Sequence, residues 1–484
     1  MAGAASTLQR KRRGMAEKAP VALSARAFAA ICGGMAAGGS AMFGIAALFS
    51  GSSANAVPAF GQQTGQKCAA CHVGGFGPQL TPFGRAFKLG GYTLRTKANI
   101  PLSAMAIASF TATRRAQSSP PADGFSTNNN FAFDQGSVFL AGGLGSHFGA
   151  FSQTTYNGIS KTWSWDNLDL RAVNTSSIGG KDLLYGVSLN NNPSVQDAWN
   201  ALPAWGYPYT TSGLAPGPSD APLIDGGLAQ SVLGMTGYAW FDSKFYVEAG
   251  GYTTPRAGTL RWLGSDPFSP GEIHGLAPYG RVAFEDQLGG GTFQLGAFLL
   301  KASIYPGRDR STGLTDRYSD VGVDSSWLKK MGDNTLTFNA RYTHEKRSLQ
   351  ATCALGFADQ SIPLVPQNEC ASGPLHELRA DASFYWHDKI GATLGAFTIG
   401  GPANSSLYPG SRTASPGSSA ILLQVDGTPF GGAGHSPLGP RFNVRVGAQY
   451  TSYLKFNGAR HNYDGAGANA SDNNTLRVFT WVAF

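Results

Sequence analysis

The chain has 484 residues, of which 14% are charged and 11% aromatic, with 65 Gly and 27 Pro. That balance excludes a disordered polymer, which carries more charge and fewer aromatics, and beyond residue 56 no long apolar run could cross a membrane as a helix. The formal charge of +8 is concentrated in residues 1–56, which hold six Lys or Arg side chains and one acid; without them the chain is nearly neutral, so no nucleic-acid partner is indicated.

Residues 1–56 read as a signal peptide. A basic stretch from Arg10 to Lys18 precedes an apolar, Ala- and Gly-rich run ending in Met42 to Phe49. Ala54-Asn55-Ala56 then supplies the small residues of a cleavage site, so the mature chain is expected to begin at Val57 in an exported, oxidising setting. Of the five cysteines, Cys32 leaves with the leader. Cys353 and Cys370 stand far downstream, where a disulfide between them is the expectation and two free thiols the alternative.

Residues 57–100 carry Cys68-Ala69-Ala70-Cys71-His72, the attachment signature of a single covalent c-type haem. Two thioethers must reach the two vinyl groups of one porphyrin while the adjacent imidazole becomes the proximal iron ligand, and this spacing serves both. A zinc site would need a second Cys/His pair at short spacing, and a redox dithiol a surrounding βαβ pattern; neither is present. Downstream, Thr81 is placed as an N-cap, Pro82 as the first helical residue and Gly90 as the C-terminal cap of a short helix. In that helix Phe83 and Phe87 lie one turn apart and are expected to pack on the porphyrin, with Phe60, Leu80 and Tyr92 nearby. Arg85 is a candidate partner for a haem propionate. Some forty residues cannot build an adequate core alone, so the segment is expected to lodge inside a larger body.

From Pro101 to Phe484 the chain alternates apolar and polar residues in segments of about ten, the pattern of a membrane barrel. In Thr335 to Glu345, Leu336, Phe338, Ala340, Tyr342 and His344 share one face, while Thr335, Thr337, Asn339, Arg341, Thr343 and Glu345 share the other. About sixteen segments follow this rule: near 102–114, 131–142, 147–157, 165–174, 183–191, 230–241, 244–253 and 277–286 in the first half. The second half supplies 291–301, 318–328, 334–346, 376–386, 389–400, 420–426, 441–452 and 475–484. Short connections alternate with long ones (192–229, 254–276, 347–375 and 453–474), which puts short turns and both barrel ends in the periplasm and long loops outside. The fold class is therefore all-β: an outer-membrane β-barrel of about sixteen antiparallel strands, its lumen plugged by a small helical haem segment.

In the first strand Met105 faces the lumen and is a candidate sixth ligand to the haem iron, ordinary packing being the alternative. Lumen-facing charges (Asp169, Arg171, Glu248, Arg341, Glu377, Arg379, Asp381, Arg445, Arg477) either serve the propionates or pair with one another.

The segments Val57-Pro58-Ala59-Phe60, Gln63-Thr64-Gly65 with the attachment motif, and Leu80-Thr81-Pro82-Phe83-Gly84-Arg85-Ala86-Phe87-Lys88 resemble the fused cytochrome–porins of the outer membrane of iron-oxidising bacteria. Close similarity covers residues 57–93; over the rest it is one of architecture and length. The resemblance implies an electron-transfer oxidoreductase that oxidises extracellular Fe(II) and passes electrons to a periplasmic carrier, a rusticyanin-like blue-copper protein or a soluble cytochrome c. Cys68, Cys71 and His72 carry over as attachment and ligand residues. Two other expectations stand beside it: a haem-plugged diffusion porin, and a conduit running outward to an external acceptor.

Overall fold

The computed structural model describes residues 58–95, 101–358, 373–405, 407–430 and 442–484, all within one compact unit spanning Ala54–Phe484. The expected leader, residues 1–56, lies outside them. Among the described residues no helix is long and apolar enough to cross a membrane.

Three helices come first: α1 (Pro58–Thr64), α2 (Cys68–Cys71) and α3 (Pro82–Leu89). Strands then run β1 (Leu102–Thr113), β2 (Asn130–Leu144), β3 (Phe148–Asn157), β4 (Thr162–Ile178), β5 (Lys181–Asn190), β6 (Leu233–Phe241) and β7 (Phe245–Thr253). After α4 (Ala257–Trp262) come β8 (Gly271–Ile273), β9 (Ala277–Leu288), β10 (Gly291–Pro306), β11 (Asp316–Met331) and β12 (Asn334–Leu349). Helix α5 (Gln350–Ala358) precedes β13 (Gly373–Trp386), β14 (Ile390–Gly400), β15 (Ser418–Gly427), β16 (Asn443–Lys455) and β17 (Thr475–Ala483).

Each strand pairs antiparallel with its neighbours, and β1 pairs with β17 from Met105↔Ala483 to Thr113↔Thr475, closing the cylinder. Strand β8 adds to β10 in line with β9 (Ile304↔Ile273 beyond Leu300↔Tyr279). The two share one position in the wall, and the barrel therefore has sixteen staves. All sixteen expected segments are strands; only the three-residue β8 falls in a stretch read as loop.

The pleat sorts side chains as the alternation requires. In β12, Thr343 is 0% exposed whereas Phe338 is 46% exposed. In β13, Glu377 is buried and Leu378, Phe384 and Trp386 are exposed. A continuous apolar exterior around a polar interior is the inverse of a water-soluble core and suits contact with lipid. At one end, the turn end, strands join through tight connections such as 179–180, 289–290 and 332–333. The first strand starts and the last strand finishes there, Ala104 and Phe484 exchanging backbone hydrogen bonds. Two connections depart from the expected asymmetry: β3 and β4 meet at the loop end through residues 158–161 alone, and β15 and β16 meet at the turn end through residues 428–442.

The helical segment fills the turn-end half of the bore. Gln63 accepts from Gly143 N (2.8 Å) and Thr428 Oγ1 donates to Gly74 O (2.6 Å). Deeper in, Tyr92 Oη donates to Asp169 on β4 (2.6 Å) and Tyr238 Oη on β6 donates to Leu89 O (2.6 Å). Gly149 on β3 allows the closest approach, since a Cβ there would stand 1.9 Å from the Gly91 carbonyl oxygen.

The 191–232 connection corrects the expectation of an external loop. Residues 191–202 are all buried, folded down the bore toward the helical segment. Wall arginines hold the loop: Arg281 reaches Asp197 (3.5 Å), Arg347 reaches Asp220 (2.7 Å), and Arg341 and Arg379 reach Asp225 (3.3 and 3.1 Å). Buried guanidiniums need such partners, and acids on an inward loop supply them.

Candidate haem cavity

The site begins with the attachment turn. Helix α2 is the four residues Cys-Ala-Ala-Cys, too short to stand alone, and Thr81 fixes it from outside. The Thr81 N–H donates to Cys71 O (2.9 Å) and its hydroxyl to Ala70 O (2.5 Å), while Gly84 N donates back to Thr81 Oγ1 (3.2 Å) as the N-cap bond of α3. Pro82 opens α3 and Gly90 closes it, as expected. Gly84 brings α3 directly onto the turn, for a Cβ there would lie 2.3 Å from Cys71 O.

Between this turn, the wall and the inward loop lies a cavity of about 370 Å3, within the range typical of ligand pockets. The helical segment contributes Cys68, Cys71, His72, Phe60, Phe76, Phe87 and Tyr92. The wall contributes Met105, Phe139, Phe151, Asn443 and Trp481, and the loop contributes Trp205 and Tyr209. Phe60 stacks on Tyr92 (5.1 Å between centroids) and meets Phe87 edge-on (5.0 Å).

The donor set fits a c-type haem. Cys68 and Cys71 form no disulfide and both line the cavity. Burial raises both thiols, Cys71 to about 11, the opposite of the lowered value a reactive redox thiol requires. His72 is half-buried, but its Nδ1 is buried and meets no hydrogen-bond partner. Burial, aided by the nearby Arg445 guanidinium, pulls its imidazolium down to about 4; the ring is therefore neutral around pH 7, the state in which imidazole ligates a metal. Met105 lines the same cavity, with its sulfur accepting from Trp481 Nε1 at 3.2 Å. A thioether sulfur keeps a second lone pair beyond that contact.

Several expected site residues sit elsewhere. Phe83 is 39% exposed and outside the lining, although its one-turn neighbour Phe87 belongs to it. Arg85 is buried against Glu285 of β9 at 3.0 Å and is not in the lining. The cations that do line the cavity are Lys67 and Lys88, and Lys88 Nζ already donates to Val195 O and Asp197 O (2.7 Å each). Wall charges mostly pair among themselves: Arg171 with Asp169 (2.9 Å), Arg341 with Glu377, Arg477 with Asp134 (2.7 Å) and Arg445 with Asp426 (3.4 Å). Glu248 accepts from Tyr246 Oη (2.9 Å) and Asp381 from Asn339 Nδ2 (2.9 Å). Cys353 lies in α5 and is disulfide-bonded; Cys370 lies outside the described residues.

Sequence reasoning missed the loop's share of the cavity. The run Trp205-Gly206-Tyr207-Pro208-Tyr209 was the available signal, since a water-facing loop has little use for three large aromatics in five residues.

Fold and site together define a plugged β-barrel of membrane type, with Cys68, Cys71, His72 and Met105 lining one cavity in its bore. No family model matches the chain, and no curated protein sequence is similar to it. Among solved structures, OmpT of Vibrio cholerae is similar at 10% identity and a TM-score of 0.40, over 80% of this chain and 99% of that one. An anion-selective porin from Comamonas acidovorans gives 12% and 0.41 over 79% and 98%. The outer-membrane channel DcaP of Acinetobacter baumannii gives 11% and 0.44 over 79% and 96%. Likenesses this distant carry no argument about what the bore does.

Proposed function

We propose that the chain is an outer-membrane monohaem cytochrome that oxidises Fe(II) outside the cell and delivers the electrons to a periplasmic carrier, a blue-copper protein of rusticyanin type or a soluble cytochrome c. The observation that carries this reading is that an attachment turn, a neutral His72 and the Met105 thioether line one aromatic cavity within a lipid-facing barrel.

A haem c held there by Cys68 and Cys71 supplies reversible one-electron chemistry. His72 and Met105 would be the residues that ligate it, and Lys67, rather than Arg85, would be the cation available to its carboxylates. Phe60, Phe87, Trp205 and Trp481 make the cavity lining apolar, which would exclude water from the bound group and raise its potential. The surrounding apolar band, about 25 Å tall in such barrels, insulates the two compartments. Iron thereby stays outside while charge crosses.

Potential-controlled spectra of the purified protein, followed by anaerobic mixing with Fe(II), test this. The expected result is a haem that Fe(II) reduces and a blue-copper acceptor reoxidises. A midpoint too low for Fe(II) to reduce the haem would reverse the direction of flow and make the protein an outward conduit. The closed sixteen-stave wall with its polar bore also favours a second reading, a haem-plugged diffusion porin. Appreciable solute flux through reconstituted protein would select it.

A further inference from the structure

Away from the bore, two imidazoles meet on the outward face of the wall. His344 of β12 and His376 of β13 are direct cross-strand partners. Their Nδ1 atoms face each other at 3.2 Å, and Tyr342 Oη stands 2.7 Å from His376 Nδ1. The outward row of β12 runs through Leu336, Phe338, Ala340 and Tyr342 before reaching His344 and Lys346. The pair therefore sits at the margin of the apolar belt, toward the loop end. Gly400 lies across from His376 on β14, and a Cβ built on it would touch nothing within 4 Å. One flank of the pair is open.

Hydrogen bonding alone joins the two rings only where one Nδ1 donates and the other accepts, with the Tyr342 hydroxyl then turned to solvent. A neutral imidazole nitrogen offers either one N–H or one in-plane lone pair. If His376 Nδ1 accepts from the Tyr342 hydroxyl, its only lone pair is taken, and His344 Nδ1 faces it with either an unplaced proton or an opposing lone pair. A cation between the two nitrogens is the other arrangement, in which both lone pairs point at one ion. With metal–nitrogen bonds of about 2.0–2.1 Å, two nitrogens on one ion stand about 2.9 Å apart at a right angle and about 3.4 Å apart at the tetrahedral angle. The observed separation falls between these.

We propose that His344 and His376 form a surface chelate for a late first-row divalent transition-metal ion, with Tyr342 Oη beside it and water completing the shell. Two neutral nitrogen donors favour copper, nickel, zinc or iron over magnesium or calcium, which take oxygen ligands. The site does not involve the bore or the haem.

The test uses the mature protein in detergent micelles, titrated with Cu(II) by electron paramagnetic resonance and with Zn(II) by calorimetry. The expected result is one ion per chain whose copper spectrum carries coupling to two nitrogens. H344A and H376A should each weaken binding about tenfold or more and reduce the coupling to one nitrogen, with little further loss in the double variant. His344→Gln repeats the first test with a side chain of similar length, should the alanine variant fail to form a barrel. Tyr342→Phe should keep the two-nitrogen signature, and His387→Ala should leave both readouts unchanged. Unaltered binding in H344A or H376A, or displacement of zinc by equimolar magnesium, would overturn the proposal.

Discussion

The wall and its contents are built on different terms. Each stave carries its own instruction, a period-two alternation whose apolar row can face only lipid and whose polar row can face only the bore. Most of the wall's hydrogen bonds run to the adjacent strand. The helical segment and the 191–232 loop have no such self-sufficiency. They are held by scattered single contacts, such as Tyr92 to Asp169, Tyr238 to Leu89 and Asp225 to two wall arginines. Periodic instructions make a rigid cylinder, whereas dispersed ones position a small body inside it without altering the cylinder. The contents should therefore be separable from the wall by mutation.

The largest separation is expected from Gly149→Val, which drives a branched side chain into the Gly91 carbonyl. The helical segment should lose its seat, seen as rapid proteolysis within residues 58–95, while the heat-modifiable mobility of the barrel on denaturing gels is retained. Loss of the barrel band itself would show that wall and contents fold as one unit. Next in size is Asp225→Asn, which removes the loop carboxylate from Arg341 and Arg379; the site is half-buried and Glu377 stays beside both arginines, so the cost should fall below the about 3–5 kcal/mol of a fully buried pair. The loop should then be cleaved faster and the single-channel conductance of reconstituted protein should rise.

Smaller effects sharpen the comparison inside the cavity. Met105→Ala removes a wall contribution to the site, and the haem midpoint potential should fall, because a Met ligand raises it. An unchanged spectrum and potential would return Met105 to a packing role. Trp481→Phe removes the N–H that reaches the Met105 sulfur, a contact of about 0.5–1.5 kcal/mol, together with part of the ring that packs on Phe76. A hydrogen bond makes sulfur a poorer donor, so its removal should lower the potential by less than Met105→Ala does.

The same division governs what could be read from the sequence. All sixteen staves were legible because alternation is local, repeated and enforced by solvent on both faces. The weakest segment, near 420–426, proved to be β15 in full (Ser418–Gly427). The short strand β8 has too few residues to alternate. Within the cavity, the grouping of Cys68, Cys71 and His72 was legible from their spacing, and the inward side of Met105 from counting along β1. The partner of Arg85 was not, since Glu285 lies two hundred residues away and nothing periodic links them. Nor was the loop's inward path, which is set by where Arg281, Arg341, Arg347 and Arg379 point once the cylinder has closed.

The central claim is covalent haem at Cys68 and Cys71, and the mass of the purified, denatured protein tests it most directly. The account predicts a gain of one haem per mature chain that survives acid–organic extraction, and its absence in a Cys68→Ser, Cys71→Ser double variant that still forms the barrel. A wild-type chain at its bare polypeptide mass, with no Soret absorbance, would contradict it.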